Sequence, residues 1–95
     1  MKSIEVDLTG CKYLDEIHER IRAAFDFPDW YGRNWDAFWD LLWSECDADR
    51  VVIRGEGSLP GELAPALQKM HEVLEDCIQF RRENRLEPFS YEIIK

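Results

Sequence analysis

Ile4, Val6 and Leu8 alternate with Glu5 and Asp7, and Thr9-Gly10 follows them. An apolar–polar alternation closed by a turn signal predicts a first strand with one buried face. From Tyr13 the period changes: Leu14, Ile17, Ile21, Ala24 and Phe25 recur at steps of three and four, which predicts an amphipathic helix. Phe27-Pro28-Asp29 ends that helix, because the residue before proline avoids helical angles and proline has no amide hydrogen to donate. Gly32 and Asn34 mark a turn, and a second helix is predicted from Arg33 or Asn34 to about Ser44. Asn34 is a competent cap there, and Asp36 falls in the first turn, where the helix dipole favours an anion. Arg50-Val51-Val52-Ile53-Arg54 has the β-branched centre and polar ends of a buried parallel strand. The stretch from Gly55 to Gly61 reads as a loop. Leu63, Leu67, Met70, Leu74, Cys77, Ile78 and Phe80-Arg81 then mark one face of a long helix; Pro88 stops it, and Phe89 to Ile94 reads as a last strand.

The order strand, helix, helix, strand, helix, strand predicts an α/β fold, a small parallel sheet packed with helices in two layers. Its crossovers are expected to be right-handed. At 95 residues, with no linker, repeat or low-complexity stretch, residues 1–95 are expected to form a single domain.

Charge narrows the function. Twenty acidic against 12 basic residues give a net charge of −8. A field of that sign repels phosphate backbones and draws basic molecules in, so direct nucleic-acid binding is not expected. No apolar run is long enough to cross a bilayer, and the N-terminus has no apolar signal region, which predicts a cytoplasmic protein without membrane contact. Cys11, Cys46 and Cys77 are odd in number and lack metal-ligand spacing, so they read as buried thiols kept reduced.

All four tryptophans (Trp30, Trp35, Trp39 and Trp43) fall between Phe27 and Trp43, together with Asp29, Asp36 and Asp40; the only basic side chain of that stretch is Arg33. On a helix Asp36 and Asp40 share one face and Trp39 and Trp43 the next, while Trp35, Phe38 and Leu42 follow a core-facing row. Trp35 or Phe38 is expected mainly in the core, and Trp30 and Trp39 partly on the surface. Like charges four apart cost a few tenths of a kcal/mol, and here only Arg33 stands near enough in sequence to relieve them. Acid beside exposed indole suits a cationic partner, since the rings supply rigid apolar area and the carboxylates supply charge complementarity.

Enzymatic readings fare worse. Paired carboxylates of a glycosidase flank a substrate from opposite sides, which adjacent turns of one helix do not allow. The acids lack ordered metal-ligand spacing. His18 and His71 fall on predicted helices away from the cluster, as surface or satisfied histidines, and no Ser-His-Asp or Cys-His arrangement is legible. The chain is therefore expected to be a binder without enzymatic activity, metal or cofactor.

The run from Pro28 to Asp40 (Pro28-Asp29-Trp30-Tyr31-Gly32-Arg33-Asn34-Trp35-Asp36-Ala37-Phe38-Trp39-Asp40) resembles the signature of the barstar family, the small intracellular inhibitors of secreted microbial ribonucleases. The resemblance extends more weakly over the whole chain, and it implies a three-stranded parallel sheet with helices packed on it. It also implies a partner, a basic microbial ribonuclease or nuclease toxin, and a set of contacts. Asp40 would stand where a substrate phosphate sits, Asp36 would make a second acidic contact, and Trp30 would pack on the nuclease's catalytic histidine. Trp39 would be a neighbouring aromatic contact with Trp43 beside it, while Asn34, Trp35 and Ala37 fill the cleft. Glu83 matches an acidic contact near the end of the long helix. Arg33 and Trp35 depart from the family's pattern, as does the segment after Trp43. The alternative is an acidic interaction module for a different basic, non-nuclease partner. A monomer is expected, with weak self-association through exposed indole.

Overall fold

The computed structural model describes residues 2–44 and 49–94. Strand β1 (Ser3–Asp7) leads into α1 (Leu14–Phe25) and α2 (Trp35–Ser44); β2 (Arg50–Arg54), α3 (Ala64–Glu83) and β3 (Ser90–Ile94) follow. The expectations for Cys46 and for residues 45–48 of the departing segment lie outside the described residues.

The three strands form one parallel sheet in the order β1-β2-β3. Ile4 pairs with Val51 and Val51 with Tyr91; Val6 pairs with Ile53 and Ile53 with Ile93. Because strand side chains alternate, these residues share the face that packs against the helices, and Ile4, Val6, Val51 and Ile53 are buried there. The α/β architecture is as the periodicity predicts.

The central strand is buried along its β-branched centre and exposed at its polar ends, as predicted. Val51, Val52 and Ile53 are all buried, yet Val52 points to the face opposite the core row. Its register partners are Glu5 and Glu92, and these pair with the flanking cations, Arg54 Nε to Glu5 at 2.7 Å and Arg50 to Glu92. Two arginine–glutamate ion pairs thus flank Val52 on that face of the sheet.

The predicted loop after β2 also has more structure than expected, with 3-10 turns at Glu56–Ser58 and Gly61–Leu63. Gly55 opens it at φ 87°, and a Cβ there would lie 2.5 Å from the Thr9 backbone nitrogen, so only glycine fits.

Leu8, Ile17, Ile21, Phe38, Leu42, Met70, Leu74 and Cys77 belong to one core beneath the sheet. Cys11 and Cys77 are buried, as expected of structural thiols. Among the described residues no helix is long and apolar enough to cross a membrane.

Candidate functional site

The loop between α1 and α2 is shaped by its own sequence. Asp26 ends α1 in the left-handed region at φ 58°. Arg22 then ties the helix to the loop: it donates to Glu19 at 2.8 Å and to the Phe27 carbonyl at 3.4 Å, and lies 3.7 Å from Asp29. The Tyr31 amide donates to the Pro28 carbonyl at 3.0 Å, closing a tight turn. That turn throws Trp30 outward, 74% exposed, and turns Tyr31 in to the core. Asn34 is the pivot. Its Nδ2 donates to the Gly32 carbonyl at 3.1 Å, while its Oδ1 accepts from the Ala37 amide at 2.7 Å and caps α2. Such a cap stabilises a helix by about 1 kcal/mol and fixes where it starts.

Helix α2 splits its side chains as the 3.6-residue period requires. Phe38, Leu41 and Leu42 are buried; Trp35, Ala37 and Trp39 are half-buried; Asp36, Asp40 and Trp43 are exposed. Thus Phe38 rather than Trp35 lies in the core, and Trp30 and, in part, Trp39 lie on the surface, as expected.

Helix α3 supplies the other wall. Trp35, Asp36 and Trp39 line a hollow of about 300 Å³ together with Lys69, Glu72, Val73 and Asp76. Arg33 is therefore not the only cation near the acids. The Arg33 guanidinium lies 3.4 Å from Glu19, whereas Lys69, remote in sequence, lines the same hollow as Asp36 and sits 3.7 Å from Glu72. Glu83 is exposed at the end of α3 and accepts from Gln79 Nε2 at 2.9 Å. Trp39 and Trp43 converge on Phe80, at ring-centroid distances of 5.9 and 5.7 Å.

The structure thus joins Trp35, Asp36 and Trp39 in one hollow and Trp39 and Trp43 at one ring, with Asn34 and Ala37 hydrogen-bonded at the helix start. Trp30 stands apart on the loop. Sequence reasoning missed Glu72, Asp76 and the role of Phe80. Their spacing at 72, 76, 80 and 83 marks one face of α3 and was the available signal. Among the described residues no group of His, Cys, Asp and Glu could hold a metal ion.

The position predicted for His18 needs correction. It is 1% exposed and lies under the cluster, its ring centroid 4.3 Å from that of Trp35. The row Leu14, Ile17, His18, Ile21 shows why: position 18 completes the i, i+3, i+4, i+7 face. The Tyr31 hydroxyl lies 2.7 Å from His18 Nδ1, and Nε2 is buried with no hydrogen-bond partner among the described residues. Burial lowers the His18 pKa, with Asp15 opposing that shift and Arg33 reinforcing it, and burial also raises the pKa of the Tyr31 hydroxyl. His71 is satisfied as expected, with its Nε2 2.7 Å from Glu56 Oε2.

A consequence for stability follows from the direction of the His18 shift. The unfolded chain binds a proton near pH 6.5 and the folded chain only at lower pH, so acid favours unfolding through that interval. Below the folded value the contribution is fully lost and adds no further slope. Urea denaturation from pH 7.5 to 5 should show a steeper loss for the wild type than for His18→Gln. Parallel curves would mean that His18 titrates alike in both states.

Comparison with known proteins follows the same lines. The family model described as "Barstar (barnase inhibitor)" matches residues 1–93. A protein of Bacillus subtilis (strain 168), named "Putative ribonuclease inhibitor YrdF", is 31% identical over 84 residues, covering 80% of this chain and 92% of the relative.

Proposed function

The chain belongs to the barstar family, and from that premise we propose that it inhibits a barnase-type ribonuclease by plugging its active site. Members of that family are inhibitors and not enzymes, which agrees with the absence of a legible catalytic set in the sequence. The observation that carries the mechanism is the shared exposed side of α2. Asp36 and Asp40 lie one turn apart beside Trp39 and Trp43, with the carboxylates of α3 alongside.

A ribonuclease cleft holds a polyanion, so its cations are already arranged for negative charge. Asp40 takes the place of a substrate phosphate and gains charge-assisted hydrogen bonds without ordering new groups. Asp36 and Glu83 add carboxylates at the edges of the contact. Trp30, held out by the Pro28 turn, and Trp39 and Trp43 supply rigid apolar area. Asn34, Trp35 and Ala37 give the loop and helix start the shape that enters the cleft. The whole chain acts as one domain in the cytoplasm, and its partner is a secreted ribonuclease or a nuclease toxin.

The test is a titration of a barnase-type ribonuclease with this protein at low and high salt. Stoichiometric inhibition is expected, with association slowed roughly tenfold or more by salt that screens the −8 charge. Undiminished nuclease activity at a molar excess of the protein would reject the reading, and a pull-down would then seek a basic, non-nuclease partner.

A further inference from the structure

The edge that presents Trp30 and the acids rests on a buried imidazole. His18 reaches from α1 to both ends of the segment that turns Trp30 outward and starts α2. Its Nδ1 lies 2.7 Å from the hydroxyl of Tyr31, the neighbour of Trp30. Its ring centroid lies 4.3 Å from that of Trp35, the first residue of α2. An apolar side chain would fill this place without a polar cost, yet Nε2 is buried with no hydrogen-bond partner among the described residues. Native proteins keep few such atoms, because each costs stability.

The charges that act on the ring come from two sides. Asp15, three residues earlier on α1 and exposed, favours a proton on it, while Arg33 on the loop opposes one. The loop also presents the Tyr31 hydroxyl, and α2 presents the Trp35 ring. The α3 charges that share a hollow with that indole are Lys69, Glu72 and Asp76. Burial is the largest influence and favours the neutral imidazole. A neutral ring suits the Tyr31 hydroxyl through Nδ1, as donor or as acceptor. An imidazolium carries a proton on both nitrogens, and its Nε2–H then has no acceptor. Asp15 or water is reached only when the ring separates from Tyr31 and Trp35.

Building on the inhibitor reading, we propose that neutral His18 is a positioning residue for the recognition edge and that a proton on its ring releases the partner. Being buried, it touches no partner. Through Tyr31 it sets the turn that carries Trp30, and through Trp35 it sets the helix start that carries Asn34, Asp36 and Ala37. Binding holds the edge closed and so opposes the proton; by reciprocity the proton opposes binding. The window lies below pH 6.5, the ordinary histidine value, because burial lowers that value in the fold. One proton changes Kd by at most about tenfold per pH unit. The inhibitor grips at neutral pH and lets go in mild acid.

The test measures Kd for a barnase-type ribonuclease from pH 7.5 to 5, with the wild type and with His18→Gln, over the range where circular dichroism shows both folded. The nuclease titrates alike in both series, so the ratio of wild-type to variant Kd isolates His18. That ratio should rise at least about threefold as pH falls, the mark of a proton coupled to binding. A histidine that only supports the fold leaves the ratio constant, and a constant ratio would overturn the proposal. Indole N–H resonances of the free wild-type protein give a second readout that needs neither nuclease nor variant. The Trp35 signal should move with the same midpoint as the His18 ring proton, while that of Trp43, at the far end of α2, should not follow. A Trp35 signal flat across the range rejects the coupling even where His18→Gln fails to fold. Inhibition with a constant Kd ratio removes the positioning role alone. A Trp35 signal that follows His18, with no nuclease inhibition, keeps that role and removes the inhibitor reading.

Discussion

Asp40→Ala is expected to weaken binding to the cognate ribonuclease by about 4 kcal/mol, roughly a thousandfold in Kd. Most of that cost arises on the partner's side. Cations gathered for a phosphate are desolvated when the inhibitor docks, and removing the carboxylate leaves them buried without a counter-charge. The fold should not suffer. Asp40 is exposed on α2, four residues from the like charge of Asp36, and alanine has the higher helix propensity. Denaturation midpoints of variant and wild type should therefore agree within about 0.5 kcal/mol, the usual range for surface substitutions. Asp40→Asn keeps the shape and removes the charge, so it should lose nearly as much affinity. Inhibition curves of Asp40→Ala that overlay those of the wild type would remove Asp40 from the contact.

The architecture was legible because each element carries its own period. Ile4, Val6 and Leu8 announce a half-buried strand, Pro28 and Asn34 bracket the loop, and Phe38, Leu41 and Leu42 set the inner side of α2. The pairing of Asp36 with Asp40 and of Trp39 with Trp43 follows from the same period. What stayed hidden depends on residues distant in sequence. The ion pairs that flank Val52 arise because the register sets Glu5 and Glu92 on either side of it. Lys69 reaches the hollow of Asp36 because α3 packs along α2. Phe80 reads as one more core position from its spacing after Cys77, and only its contacts with two indoles distinguish it. His18 is a different case: it is expected as a surface or satisfied histidine away from the cluster, and only the tertiary packing of α1 against the loop and α2 sets it beside Tyr31 and Trp35.

Phe38→Ala should cost about 3–5 kcal/mol of stability, measured by urea denaturation. Phe38 is 1% exposed, and its ring lies 5.8 Å from Phe25, 6.4 Å from Phe27 and 5.9 Å from Trp35, centroid to centroid. Those three residues belong to the end of α1, the loop and the start of α2, so one side chain anchors the whole edge that presents Trp30 and the acids. Against a total stability of roughly 5–15 kcal/mol, the variant should lie near the limit of folding. Phe38→Leu keeps most of the volume and should lose about 1.5 kcal/mol or less. Affinity and stability then separate cleanly. A bound ribonuclease stabilises the folded inhibitor by about 4 kcal/mol when free nuclease stands at a thousand times Kd, which is similar to the loss in Phe38→Ala. Excess nuclease should therefore restore folding of Phe38→Ala, because its contact residues are intact. It should stabilise Asp40→Ala far less, because there the contact itself is broken. A Phe38→Ala midpoint within about 1 kcal/mol of the wild type, well below the usual cost of such a truncation, would show that the core does not hold this edge in place.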